Sequence, residues 1–99
     1  MFLQVSPHAG ERFQQRLDFN APRKIQVPKG YIVKRYRHFN TNNEILLVLT
    51  LFRGQPAVFV CDKTDRVLLT VVTTGKMMTL AMKTLKEKKC VSQNSGLMN

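Results

Sequence analysis

Acidic residues are scarce in this 99-residue chain. Six Asp and Glu stand against sixteen Lys and Arg, and the formal net charge at pH 7 is +10. Few carboxylates are therefore present to neutralise the basic side chains. A surplus of this size predicts a polyanionic partner, most often RNA or another nucleic acid and less often an acidic protein or a membrane surface.

Long hydrophobic segments are also absent. The longest apolar run, residues 45–51, is interrupted by Thr50 and is far shorter than the ~20 residues that cross a bilayer. Residues 1–5 carry no basic leader and no long apolar stretch, so they do not resemble a secretory signal. We therefore expect no membrane partner and a cytoplasmic location.

Cysteine is nearly absent, and Cys61 and Cys90 lack the spacing of a metal site. Cys61 lies in an apolar strand pattern, which predicts a buried thiol. A disulfide between the two cysteines remains an alternative to free thiols, although nothing in the sequence indicates an oxidising compartment. The chain also has no Gly-rich phosphate loop, nucleophile elbow or cluster of metal ligands. We expect no metal and no cofactor, which leaves acid–base chemistry on a polyanion, or no chemistry.

The order of helical and extended patterns predicts an α+β fold. Ser6 followed by Pro7 is typical of a helix start, and Pro22 prevents the helix from continuing beyond residues 18–20. Four extended segments follow, and the short turns between them favour an antiparallel meander. These segments cover residues 31–39, 44–52, 57–61 and 66–73.

The two ends of the chain are less regular. Residues 1–5 fit either a short extended arm or a disordered segment, and residues 25–27 fit a brief edge strand. A lysine-rich helix is predicted over residues 76–89. We expect one domain, residues 1–90, with an N-terminal helix packed on a four-stranded antiparallel sheet, a C-terminal basic helix and a flexible tail over residues 91–99.

The first helix carries a basic edge. His8, Arg12 and Arg16 follow one another at intervals of four residues, which places them along one side of a helix. Ala9, Phe13 and Leu17 form an apolar stripe beside them. A helix that packs by one stripe and exposes an imidazole and two guanidiniums by the next is suited to contact phosphate.

The first helix carries the pattern Ser-x-His-Ala-x-x-Arg-Phe, which begins at Ser6, and the predicted sheet closes with a strand over residues 67–73. In these features residues 6–74 resemble the small ribonuclease fold shared by barnase and the RelE-type mRNA-cleaving toxins. The resemblance implies an RNA-directed protein, with metal-independent cleavage through attack of the 2′-hydroxyl on the adjacent phosphate. The small size and basic charge suit a phage- or plasmid-borne protein, and a further interpretation is a toxin whose charge is masked by an acidic antitoxin.

The resemblance also implies roles for particular residues. His8 would act as acid or base, and Arg12 and Arg16 would clamp the phosphate. Thr73 would donate a hydrogen bond, while Arg35, Arg37 and His38 would line the facing surface. The proposed catalytic set is His8, Arg12, Arg16, His38 and Thr73.

One departure from the family counts against cleavage. Barnase-like proteins use a glutamate base on the sheet, whereas the only strand glutamate here is Glu44, beside a turn. Glu11 lies on the helix, away from the edge that carries His8. A non-catalytic module that binds nucleic acid or inhibits a protein, such as a phage-encoded regulator, is therefore the alternative function.

The predicted strand over residues 31–39 is unusually basic. Strict alternation places Arg35 and Arg37 on one side with Val33, and Lys34 on the other side with Ile32. By the same count, Tyr31 and Tyr36 lie on opposite faces. The strand either lines a groove or is an edge strand protected by charge against aggregation. The expected nucleic-acid-binding residues are Lys34, Arg35, Tyr36, Arg37, Arg53, Lys83 and Lys86.

Overall fold

A computed structural model describes the backbone of residues 1–98 and the side chains of residues 1–87. Two helices and six strands confirm the predicted α+β class. In chain order the elements are β1 (Phe2–Val5), α1 (Pro7–Leu17), β2 (Lys24–Gln26), β3 (Gly30–Arg37), β4 (Glu44–Phe52), β5 (Gln55–Asp62), β6 (Val67–Val72) and α2 (Lys76–Met98).

The six strands form one mixed sheet in the order β2-β1-β6-β5-β4-β3. The predicted antiparallel meander is correct for β3 to β6 and incomplete for the sheet. Residues 2–5 form a strand that runs parallel to β6, with Gln4 opposite Val67 and Val5 opposite Leu68. The predicted edge strand at residues 25–27 is confirmed as β2, which pairs with β1.

Helix α1 begins where the sequence predicts. The Ser6 hydroxyl accepts a hydrogen bond from the Ala9 N–H at 3.0 Å and donates one to the Leu69 carbonyl at 3.2 Å. It therefore caps the helix and ties its first turn to β6. Asp18 ends the helix in the left-handed conformation, with φ of 48°, and its N–H bonds to the Phe13 carbonyl.

The sheet buries apolar side chains on both faces, because β4 and β5 are apolar at nearly every position. The apolar run of β4 predicts either burial on both faces or a central position; residues 45–50 are all buried and belong to both faces, while the strand lies next to the edge strand β3. The α1-side cluster consists of Leu3, Ala9, Phe13, Leu46, Val48, Ala57, Phe59, Cys61, Leu68 and Val71. The α2-side cluster consists of Ile45, Leu47, Leu49, Val58, Val60 and Ala81.

An aromatic contact network positions α1. The fully buried ring of Phe13 lies 5.5 Å from Phe19, 5.5 Å from Phe52 and 5.6 Å from Phe59, measured between ring centroids. These edge-on and tilted pairs add to the burial of apolar area. They join the helix, the segment after it and the strands β4 and β5.

Helix α2 covers the other face through Met77, Met78, Ala81 and Leu85. It extends to Met98, beyond the predicted end at residue 89. The flexibility of 91–99 stays a prediction, because side chains after residue 87 lie outside the described part of the chain. Within that part, no helix is long and apolar enough to span a membrane.

The predicted burial of Cys61 is confirmed, since its side chain is fully enclosed in the α1-side cluster. Desolvation by this burial raises the pKa of the thiol from 9.0 to about 12. The side chain of Cys90 lies outside the described residues, so a disulfide with Cys61 stays untested.

Candidate nucleic-acid interface

The three basic residues predicted to lie along one side of a helix, His8, Arg12 and Arg16, all belong to α1. His8 is exposed near the start of the helix, and Arg12 and Arg16 are half-buried further along it. The guanidinium of Arg12 donates to the side-chain oxygen of Gln15 at 2.6 Å. His8 and Arg12 therefore face solvent or lie next to it, where a phosphate can approach.

Arg16 is engaged in the fold. Its guanidinium donates a hydrogen bond to the backbone carbonyl of Val71 in β6. Only part of its five-donor group is thus available to an external anion. Thr73, the residue directly after β6, is half-buried.

A β-bulge at Val33 changes the faces of β3. Ile32 is opposite Val48 in β4, yet Lys34 is opposite the next residue, Leu47, so Val33 is an extra residue in the strand. Directly opposed residues of an antiparallel pair project to the same side of the sheet. The alternation along β3 therefore shifts by one at this point.

The bulge corrects the face assignments made from strict alternation. Tyr31 is opposite Leu49 and Tyr36 is opposite Ile45, and both partners belong to the α2-side cluster. The prediction that the two tyrosines lie on opposite faces is therefore wrong. Lys34 shares their face, because its partner Leu47 also belongs to that cluster.

The two arginines of β3 lie on the other face. Arg35 is opposite Leu46 of the α1-side cluster, and Arg37 is opposite Glu44. The expected grouping of Arg35 with Val33, and of Lys34 with Ile32, is wrong for the same reason. Val33 packs against the α2-side cluster, and Ile32 against the α1-side cluster.

The result is a strand with cations on both faces and aromatic rings on one. All five side chains are exposed, and the Lys34 ammonium lies 5.5 Å from the centre of the Tyr36 ring, within cation–π range. We call this set the β3 surface, and it consists of Tyr31, Lys34, Arg35, Tyr36 and Arg37.

The strand order separates the β3 surface from the basic edge of α1. Helix α1 packs on β6, and β5 and β4 lie between β6 and β3. At ~4.8 Å between neighbouring strands, the backbones of β6 and β3 are about 14 Å apart. His8 and His38 are consequently not brought together in one compact site.

The loop after β3 is held by several hydrogen bonds. His38 donates its backbone N–H to the Asn43 carbonyl at 2.9 Å, and its ring nitrogen Nδ1 accepts from the Asn40 N–H at 3.2 Å. The His38 ring stacks on Phe39, whose side chain is 90% exposed. Arg37 donates to the Asn42 carbonyl at 3.0 Å.

Glu44 is a site residue that sequence reasoning set aside because it lies beside a turn. Its carboxylate lies 3.9 Å from the guanidinium of Arg35 and 3.9 Å from the ammonium of Lys63. Among side chains of residues 1–87, it is the one carboxylate that pairs with basic groups. Glu44 lies opposite Arg37 because the bulge shifts the pairing of β3 with β4 by one residue. Strict alternation along the strand could not reveal this position.

The remaining expected binding residues lie elsewhere. Arg53 is in the turn between β4 and β5, with its guanidinium 5.7 Å from the centre of the Phe19 ring. Lys83 and Lys86 are exposed on α2. These cations extend the positive surface beyond β3 without forming one cleft.

No group of three or more His, Cys, Asp or Glu side chains in the described residues is arranged to hold a metal ion. The arrangement offers exposed guanidinium, ammonium and aromatic groups, with one carboxylate among them. Comparison of the chain with protein-family models, with curated proteins and with solved structures finds no match.

Proposed function

We propose that this protein binds RNA through the β3 surface. The observation that carries the proposal is the bulge at Val33, which places Tyr31, Lys34 and Tyr36 on one face of the outermost strand. Aromatic rings beside cations are what single-stranded nucleic acid requires, because bases stack on the rings while phosphates contact the charges.

The charge balance supports a polyanionic ligand. Arg35 shares the one carboxylate of Glu44 with Lys63, whereas Lys34 contacts only a ring and Arg37 a backbone carbonyl. These cations are largely uncompensated within the fold. Release of counterions from bound phosphates would then contribute much of the affinity.

The test is binding of fluorescein-labelled single-stranded RNA, followed by anisotropy over a range of salt concentrations. We expect the logarithm of affinity to fall with the logarithm of salt by ~0.7 per phosphate contacted. Lys34→Ala and Arg37→Ala should weaken binding, whereas Lys24→Ala, an exposed lysine at the opposite edge of the sheet, is the matched control.

Two outcomes would contradict the proposal. One is absence of RNA binding at low salt, particularly together with salt-insensitive binding to an acidic protein, which would favour the antitoxin or inhibitor alternatives. The other is an equal loss of affinity for the β3 variants and for Lys24→Ala. Equal losses would indicate that general charge, rather than β3, attracts the RNA.

The second candidate function is metal-independent cleavage of RNA, as in the barnase/RelE-like fold. It is favoured by the position of Glu44, whose carboxylate lies beside Arg35 and opposite Arg37 on the sheet. A carboxylate can accept the 2′-hydroxyl proton, and guanidiniums stabilise the charge that develops on phosphate. His8 and Arg12 remain candidates on the separate edge of α1.

Incubation of total RNA with the purified protein and EDTA tests cleavage. The expected products end in a 2′,3′-cyclic phosphate or a 3′-phosphate. Loss of cleavage in Glu44→Gln would assign the reaction to the β3–β4 edge, and loss in His8→Ala and Arg12→Ala would assign it to α1. RNA that is bound but stays intact would support the proposed binding function and contradict the proposed cleavage.

A further inference from the structure

A groove lies between α2 and the first residues of β3. Its volume is about 350 Å³, and sites for small molecules span ~300–1,000 Å³. Tyr31 forms one wall, Leu51 at the end of β4 forms another, and Met82 and Leu85 of α2 close the third side.

The walls of this groove are apolar and accessible. Tyr31 is 50% exposed, Leu51 is 67% exposed and Met82 is 44% exposed. Large apolar side chains that are exposed singly need no explanation, but three around one groove indicate a binding surface. The Thr50 hydroxyl donates to the Lys29 carbonyl at 2.7 Å and fixes the backbone at the rim.

One lysine lines the groove, and two others lie on the strand and the helix that form it. Lys29 lines it directly, and Lys34 lies on the same sheet face as Tyr31. Lys86 follows Met82 by four residues, which places the two on one side of α2. No carboxylate is among the described residues that line the groove. An apolar peptide would match the walls alone, whereas a nucleotide matches both the walls and the charges.

We infer that this groove holds an unpaired base of single-stranded RNA, stacked on Tyr31, with the flanking phosphates near Lys29 and Lys86. The inference rests on the proposed RNA binding and specifies its ligand. A base within a duplex is covered on both faces by its neighbours, so duplex RNA cannot insert one without unstacking.

The experiment compares a short fluorescein-labelled oligouridine with the same backbone carrying abasic residues and with an RNA duplex. The wild-type protein should bind the oligouridine most tightly at a fixed salt concentration. Tyr31→Ala should weaken that binding about 5- to 100-fold, because the substitution removes one base–aromatic stack. Tyr31→Phe keeps the ring and should bind as wild type.

Phe2→Ala is the matched control, because Phe2 is an aromatic residue that is 65% exposed on β1, far from the groove in the strand order. It should leave affinity unchanged. The abasic backbone should bind wild type and Tyr31→Ala equally, since the phosphate contacts remain in both.

Failure of this inference can be distinguished from failure of RNA binding itself. Salt-dependent binding of wild type together with unchanged affinity in Tyr31→Ala would overturn the groove assignment and leave the proposed function standing. Equal affinity for the oligouridine and the abasic backbone would do the same. Absence of any RNA binding by wild type would overturn both.

Discussion

The guanidinium of Arg16 donates a hydrogen bond to the backbone carbonyl of Val71 and so ties the later part of α1 to β6. The parallel pairing of β1 with β6 involves Val67 and Leu68, so Arg16 contacts β6 beyond that pairing. A residue whose spacing predicts a phosphate ligand thus also has a part in the fold.

Arg16→Ala should lower the free energy of unfolding by about 1–3 kcal/mol, because it removes a charge-assisted bond and leaves the Val71 carbonyl without that donor. Urea denaturation measures the change. Arg12→Ala is the control, since Arg12 bonds only to Gln15 on the same helix and should alter stability by no more than ~0.5 kcal/mol. Equal destabilisation by both variants would contradict the structural role of Arg16.

Ser6→Ala should destabilise the protein by about 1–2 kcal/mol, because the hydroxyl caps α1 and also bonds to the Leu69 carbonyl. For a domain of this size each kcal/mol lowers the melting temperature by ~4–8 °C, which calorimetry resolves. Ser6→Thr retains the hydroxyl and should retain most of the stability. A Thr variant as unstable as the Ala variant would show that the cap is not the cause.

Gly30→Ala and Gly10→Ala should have opposite effects. A Cβ at Gly30 would lie 2.2 Å from the Leu49 carbonyl oxygen, a backbone atom that moves only if the strand pair moves. Strain of this kind costs ~1–3 kcal/mol. A Cβ at Gly10 meets no atom within 4 Å, and alanine within a helix is favoured over glycine by ~0.5–1 kcal/mol. Denaturation midpoints that shift in the same direction for both variants would contradict the prediction of opposite effects.

Burial of Cys61 predicts a pH dependence of stability. The pKa of the thiol is about 12 in the folded chain against 9.0 for the unperturbed group, so between these values the unfolded chain loses a proton that the folded chain keeps. Stability should therefore fall as pH rises from about 9 to 12. The contribution is complete below pH 9.

The measurement compares unfolding in the Cys90→Ser background, with and without Cys61→Ala, as pH is raised. The difference between the two curves isolates the contribution of the Cys61 thiol. In the same background, a thiol reagent at pH 8 should label Cys61 at the rate at which the chain opens. Rapid labelling under native conditions would contradict the burial.

Much of the fold can be predicted because its signals are local. The pair Ser6-Pro7 marks the start of α1, and the continuous apolar run of β4 indicates a strand that is buried on both faces. The pairing of β1 with β6 could not be predicted, because a strand of only four residues carries no pattern that identifies a distant partner. Helix α1, which follows β1 in the chain, packs on β6, the strand with which β1 pairs.

The candidate site was harder to predict than the fold. Each basic residue of β3 could be recognised, but its face depends on the bulge at Val33, and nothing in the local composition marks that position. Because one extra residue reverses every later assignment, Tyr31 and Tyr36 move from opposite faces to the same face. Glu44 became a candidate only when its partners across the ladder were known.

The parallel pairing of β1 with β6 also orders the folding of the chain. Strands β3 to β6 are joined by short turns and need only local contacts, whereas β1 must await β6. During synthesis β1 emerges before β6 and therefore completes the sheet late, and contacts so distant in sequence slow folding. Until Val67 and Leu68 are in place, β1 and the apolar side of α1 lack the strand on which they pack, and apolar surface exposed in this way promotes aggregation.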